Sequence, residues 1–178
     1  MIILVGASAS GKTVICNELI NTFGMKKFIT TTTRKIRQNE INNIDYNFIS
    51  KEEFFEKIKN NEFIEYVEYN NNLYGSEKKH IDNNKVIILE PNGLKHFINM
   101  NDKTIVSFYI DCDEKIREKR MHERGDNDED IQKRIINDRS VFTNDLKKEV
   151  NFIINSENSS IKDLAKQIYT LYKDIISK

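Results

Sequence analysis

The sequence predicts an α/β fold with a parallel central sheet flanked by helices, and three observations carry that expectation. The chain opens with a short apolar, β-branched run that stops at a glycine and gives way to helical spacing. Two later runs, 85–89 and 104–110, are almost continuously β-branched, as strands covered on both faces of a parallel sheet are. Each is followed by a helical pattern, and strands alternating with helices argue for βαβ units. At 178 residues the chain fits one domain able to bury a proper core.

Taken in order, Ile2, Ile3, Leu4 and Val5 form the first strand, and Val14, Leu19 and Ile20 fall at helical spacing within 13–23. A second short strand is expected at 27–32, while 35–43 has no apolar period and reads as a loop. Ser50 and Glu53 have the form of a capping box, opening a helix over 52–60 with Phe54, Phe55 and Ile58 inward. Residues 63–69 alternate imperfectly with glutamates, and Asn70, Asn71 and Asn72 supply turn chemistry, so a small inserted β unit is expected here. After the two long runs a helix is expected at 113–123, closed by Arg124 and Gly125. Residues 126–129 resemble a capping box that opens a second helix over 128–148, giving a charged helical hairpin. A last strand follows at 151–154. Ser159 or Ser160 then caps a terminal helix with Ile161, Leu164, Ile168 and Leu171 on one face.

Composition narrows the partners. Lysine and arginine number 28 against 28 aspartates and glutamates, so no overall field favours nucleic acid or an anionic membrane surface, and phosphate binding must be local. No apolar stretch is long enough for a signal peptide or a spanning helix, which leads to the expectation of a soluble, cytoplasmic monomer or small homo-oligomer. Cys16 and Cys112 lie far apart without a second cysteine or histidine at metal-ligand spacing, and both read as buried small hydrophobes.

Gly6, Ala7, Ser8, Ala9, Ser10, Gly11, Lys12 and Thr13 match G-x-x-x-x-G-K-[ST] between an expected strand and an expected helix. Glycines at both ends let backbone N–H groups wrap a phosphate chain, and the helix N-terminus adds partial positive charge. Lys12 would reach the β- and γ-phosphates, and the Thr13 hydroxyl would ligate Mg²⁺. By itself the motif says that a nucleoside triphosphate binds, and leaves ATPase, GTPase and kinase open.

The acceptor is narrowed by Thr30-Thr31-Thr32-Thr33-Arg34-Lys35-Ile36-Arg37-Gln38-Asn39-Glu40, followed by Asp45-Tyr46-Asn47-Phe48. Two arginines three apart suit a monophosphate, because guanidinium forks pair with its oxygens and a phenol adds a donor. This segment resembles the guanylate kinase pattern S-x-T-T-R-x-x-R-x-G-E with D-Y-x-F downstream. Asn61-Glu62-Phe63-Ile64-Glu65 and Asn72-Leu73-Tyr74-Gly75-Ser76 are similar to the family's E-F-[IL]-E and N-x-Y-G-[ST] stretches. The resemblance covers almost the whole chain. It implies a P-loop kinase fold moving the γ-phosphoryl group of ATP onto GMP or dGMP. Glu65 would accept the N1–H and N2–H₂ donors of guanine, which adenine lacks at N1. Thr30 and Ser76 would supply hydroxyls near the base, and Tyr46 and Tyr74 donors to the monophosphate. Glu40 would hold an arginine, and Glu90 falls where the family has an aspartate.

Arg120 and Arg124 share a helical face, and Arg134 comes from the next helix across Gly125. The stretch resembles the family's lid, whose mobile arginines stabilise transferring phosphoryl charge. Arg117 and Arg139 have no family position and read as surface residues. Asn155 resembles the family's adenine-side asparagine. The resemblance thus divides one domain into a core (1–32, 85–112 and 149–178), a GMP-binding region (33–84) and a lid (113–148). Departures fall at Lys35 and Asn39 in the arginine loop, at Ile88 and Glu90, and in the short stretch after Ser76. They bear on base selectivity. The rival readings are a non-catalytic module keeping the fold as a peptide-binding surface, and a related small-molecule phosphate kinase.

Overall fold

The computed structural model describes residues 1–177, with Tyr69 described by its backbone alone. Along the chain run β1 (Ile2–Val5), α1 (Lys12–Phe23), β2 (Lys26–Lys27), β3 (Thr31–Thr32), β4 (Asn47–Phe48), α2 (Lys51–Lys59), β5 (Phe63–Tyr69) and β6 (Asn72–Glu77). After a 3₁₀ turn at Lys78–His80 come β7 (Lys85–Ile88), α3 (Pro91–Ile98), β8 (Val106–Asp111), α4 (Glu114–Glu123), α5 (Asp128–Val141), α6 (Asn144–Glu149), β9 (Phe152–Asn155) and α7 (Ile161–Ile176). The chain forms two compact units, Met1–Lys26 with Asn83–Lys178, and Lys27–Asp82.

The first unit is built on a five-stranded sheet ordered β2-β7-β1-β8-β9, in which β7, β1, β8 and β9 run parallel. Every residue of β1 is buried, which is why its sequence is apolar without alternation. Ile2, Leu4, Ile15, Leu19, Val86, Phe108, Ile110, Leu164 and Ile168 form the core. The helices α1 and α7 pack together, with Phe23 and Tyr169 stacked at 4.6 Å between centroids. Ser160 caps α7 by accepting the Asp163 N–H.

The charged hairpin differs from expectation in two respects. The single helix expected over 128–148 is broken at Phe142 and Thr143, where Phe142 leaves helical geometry at φ −99 and ψ 68 and Thr143 opens α6. Phe142 sets its ring against Tyr109, a tertiary contact that local periodicity does not encode. The cap of α5 is Asn127, whose side chain accepts the Glu129 N–H, because Asp126 is already engaged by Arg124.

In the second unit the sheet order is β4-β3-β6-β5. The expected strand at 27–32 therefore divides, with Thr31 and Thr32 alone entering this sheet between β4 and β6. Asn70 and Asn71 turn the β5–β6 hairpin with φ of 48 and 60, a conformation that asparagine tolerates better than most residues. Phe54, Phe63 and Leu73 make the core. Gly75 underlies it, since a Cβ there would lie 2.7 Å from the Phe63 ring. The capping box of Ser50 and Glu53 is formed in both directions. Phe55, expected inward, is 57% exposed; α2 is so short that only Phe54 and Ile58, four residues apart, share its buried face. Both cysteines are buried, and neither is in a disulfide. Among the described residues no helix is long and apolar enough to cross a membrane.

Candidate active site

The loop after β1 is shaped by backbone constraints. Gly6 has φ 154, and a Cβ there would lie 2.5 Å from the Ile110 carbonyl oxygen, so only glycine lets the chain leave β1 past β8. Gly11, at φ 103, precedes α1 without any side-chain cap, leaving the first N–H groups of the helix to meet an anion. The Lys12 Nζ donates to the Gly6 and Ala7 carbonyls at 2.5 and 2.8 Å. Burial pushes its pKa down, and the Glu90 carboxylate is the largest influence against that shift. Ala9, Ser10, Gly11, Lys12, Thr13, Arg120 and Arg124 line a cavity of about 300 Å³, together with Val14 and Ile161. Val14 is 47% exposed, so this residue of the helical period faces the cavity side. Asn155 ends β9 exposed to solvent and accepts the Glu157 N–H. Its neighbour Ser156 is the buried one and donates to the Ser10 carbonyl at 2.8 Å.

The hairpin arginines take different partners. Arg120 donates to the Ala9 carbonyl at 3.3 Å and to the Ser156 carbonyl at 2.9 Å. Arg124 makes a bidentate pair with Asp126, and Arg134 approaches the same carboxylate at 3.9 Å. Asp126 thus gathers two of the three. Arg117, expected at the surface, is buried; it reaches Asp138 at 2.9 Å and the Ser8 carbonyl at 3.2 Å. A helical spacing that looks solvated on charge alone is turned inward because Asp138 supplies a buried counter-charge. Arg139 stays at the surface and pairs with Glu114.

Within Lys27–Asp82, Arg34 forms a bidentate pair with Glu40 at 3.0 and 2.7 Å. Its guanidinium lies 5.4 Å from the Tyr46 ring centroid and 5.5 Å from that of Phe48. Glu40 raises the Arg34 pKa, with a smaller contribution from Tyr74, and Arg34 in turn lowers that of Glu40. Glu40 also accepts the Arg37 N–H, leaving the exposed Arg37 guanidinium at the surface. Asn39 takes φ 121, so it supplies the left-handed turn of this loop. Tyr46 and Tyr74 meet edge to face at 6.1 Å. The Ser76 hydroxyl donates to Glu65 at 2.6 Å. The Thr30 carbonyl accepts the Asn47 N–H, and its half-buried side chain stands beside β3.

Residues 1–174 match the family model described as Guanylate kinase. The chain belongs to the guanylate kinase family. It is 29% identical over 175 residues to the guanylate kinase of Fusobacterium nucleatum, covering 88% of this chain and 95% of that one. It is 30% identical over 167 residues to that of Mycoplasma capricolum, covering 89% of this chain but 56% of the relative, so it spans little more than half the length of some relatives. The fold is similar to the crystal structure of guanylate kinase from Anaplasma phagocytophilum, with a TM-score of 0.64 at 23% identity, covering 97% of this chain and 85% of that one. The guanylate kinase family transfers a phosphoryl group from ATP to GMP, in a reaction that generally needs a divalent metal ion.

A metal in a guanylate kinase would find no ready-made cage here, since no group of three or more His, Cys, Asp or Glu among the described residues could hold one. The donors fit a hard ion bound chiefly through substrate phosphates, because the Thr13 hydroxyl borders the cavity beside the cradle. Sequence reasoning missed five buried polar residues: Glu77, Ser107, Arg117, Asp138 and Ser156. For Arg117 and Asp138 no motif gave a signal. Glu77 follows Ser76 in the resemblance-bearing stretch, but only the fold makes it the acceptor for Thr31, Asn47 and Lys57.

Proposed function

We propose that this chain carries out the family reaction by direct in-line transfer from Mg²⁺·ATP to GMP or dGMP, with the donor held by 6–13 and the acceptor chiefly by residues of 33–84. Glu65 carries the acceptor assignment: its carboxylate, oriented by the Ser76 hydroxyl, offers two acceptor oxygens to the two donors on the Watson–Crick edge of guanine. Thr30, Ser76 and Glu90 serve the base side in this reading, and Arg34, Arg37, Tyr46 and Tyr74 bind the monophosphate. The Arg34–Glu40 pair supports it because a guanidinium already fixed in one rotamer loses less freedom on binding a phosphate.

On the donor side, Lys12 leaves the Gly6 and Ala7 carbonyls for the β- and γ-phosphate oxygens, while the free N–H groups at the start of α1 take the phosphate chain. Arg120 and Arg124 border the same cavity, and with Arg134 they supply charge for the equatorial oxygens of the transferring group, with 113–148 acting as a lid. Asn155 serves the adenine end. The Thr13 hydroxyl would hold Mg²⁺, which neutralises phosphate charge when bound. No general base is required, because the acceptor oxygen of GMP is already anionic. The protein is expected to act in the cytoplasm as a monomer or small homo-oligomer.

The test is an ADP-release assay across GMP, dGMP, AMP, CMP and UMP. The reading expects GMP or dGMP to exceed the others, and equal ADP release with all five would sink it. Lys12→Met should lower kcat by about 10²–10³-fold, the scale for losing one preorganised charge at a developing oxyanion. Calorimetry showing intact ATP binding in that variant at unchanged kcat would remove Lys12 from the role.

A further inference from the structure

We infer that the buried Arg117–Asp138 pair is a positioning device for the phosphate cradle, holding the Ser8–Ala9 turn in its binding geometry before nucleotide arrives. This rests on the donor-site reading above.

The pair takes up every polar group of Ser8. Asp138 accepts the Ser8 N–H through Oδ2 at 2.9 Å and the Ser8 hydroxyl through Oδ1 at 3.2 Å. Arg117 Nη1 donates to the Ser8 carbonyl at 3.2 Å and to Asp138 Oδ2 at 2.9 Å, and Arg117 Nε donates to the Cys112 carbonyl at 3.3 Å. The two side chains are 7% and 5% exposed. They come from α4 and α5, so both helices of the charged hairpin are pinned to one residue of the loop.

The residue next to this clamp explains what it secures. Ala9 sits at φ 58, a left-handed conformation that a residue with a Cβ adopts only when its surroundings impose it. Ser8 is fixed on one side of Ala9, Arg120 holds the Ala9 carbonyl, and the Ala9 side chain packs on Met121, Ile131 and Ile135. The turn this enforces returns the Ser10 N–H to the Ala7 carbonyl and leads into Gly11 and the open N-terminus of α1. A buried ion pair contributes little net stability compared with well-packed apolar groups of the same volume. What apolar groups cannot replace is the acceptor for the Ser8 N–H and the donor for its carbonyl.

That difference makes the inference testable. In the double variant Arg117→Met/Asp138→Leu the pair becomes apolar without leaving a lone buried charge. Binding of a non-hydrolysable ATP analogue and of GMP is measured by calorimetry, and Tm by thermal unfolding. The expected result is a Tm close to the parent, analogue binding weakened about tenfold because the turn is no longer preorganised, and GMP binding within about twofold. Unchanged analogue binding would overturn the inference. So would equal weakening of analogue and GMP, which marks general loosening. If the double variant does not fold, Asp138→Asn decides, since it keeps the shape and one acceptor oxygen. Weaker analogue binding with GMP binding intact supports the inference, and unchanged analogue binding with a lowered Tm overturns it. A parent protein that binds no analogue would instead refute the donor-site reading.

Discussion

At Lys12, burial and the Glu90 carboxylate act in opposite directions on the ammonium, which donates to two loop carbonyls. The same logic of a side chain positioned by a neighbour applies to Glu65. Its oxygen is fixed by a 2.6 Å hydrogen bond from Ser76, so its lone pairs are presented in one direction instead of being averaged by rotation. Glu65→Ala is expected to lower kcat/KM for GMP by roughly 10²-fold, the scale on which unpaired substrate donors are rejected, with a much smaller effect on AMP. Steady-state kinetics with both acceptors checks this, and an unchanged GMP to AMP ratio would remove Glu65 from base reading.

At the scale of elements, the small sheet of Lys27–Asp82 is joined by a single carboxylate. Glu77, at the end of β6, is fully buried and accepts from Thr31 on β3, Asn47 on β4 and Lys57 on α2. Burial by itself would raise its pKa, but hydrogen bonds from Lys57, Thr31 and Lys79 outweigh that and hold it at about 2, below the ordinary 4.5. Because the folded pKa is depressed, the stability contributed by Glu77 is present above about pH 4.5 and is lost as pH falls toward about 2. Denaturant unfolding across that interval should show stability declining in the parent and declining less in Glu77→Gln; identical slopes would mean that Glu77 does not couple folding to protons. The β5–β6 hairpin has a steric counterpart at Gly75. Gly75→Ala puts a methyl 2.7 Å from the Phe63 ring, which is itself stacked on Phe54 at 4.4 Å, and should cost about 1–3 kcal/mol of unfolding free energy.

At the scale of the whole molecule, stability and substrate choice are expected to draw on different residues. The core of the first unit is closed by α7, whose Leu164, Ala165, Ile168 and Tyr172 are buried. Ile168→Ala opens a cavity there and is expected to cost about 2–5 kcal/mol, read as a lowered Tm, with the GMP to AMP preference unchanged. A shift in that preference would show that core packing reaches the acceptor site.

Much of this was legible in the chain because it depends on local physics. The β-branched runs at 85–89 and 104–110, the glycine-bounded phosphate loop and the Ser50 capping box are each written in a few neighbouring residues, and β7, β8, the cradle and α2 lie where those patterns put them. The fold class and the kinase family follow from such signals in their order. What tertiary structure decided is where charge goes inward. Arg117 and Asp138 are separated by 21 positions, and Thr31 and Glu77 by 46, so no periodicity announces either pair. Phe142 likewise ends α5 on a contact with Tyr109 from β8. A buried charge is tolerable only when the fold delivers its partner, and that delivery is a property of packed elements, not of the segment in which the charge is written.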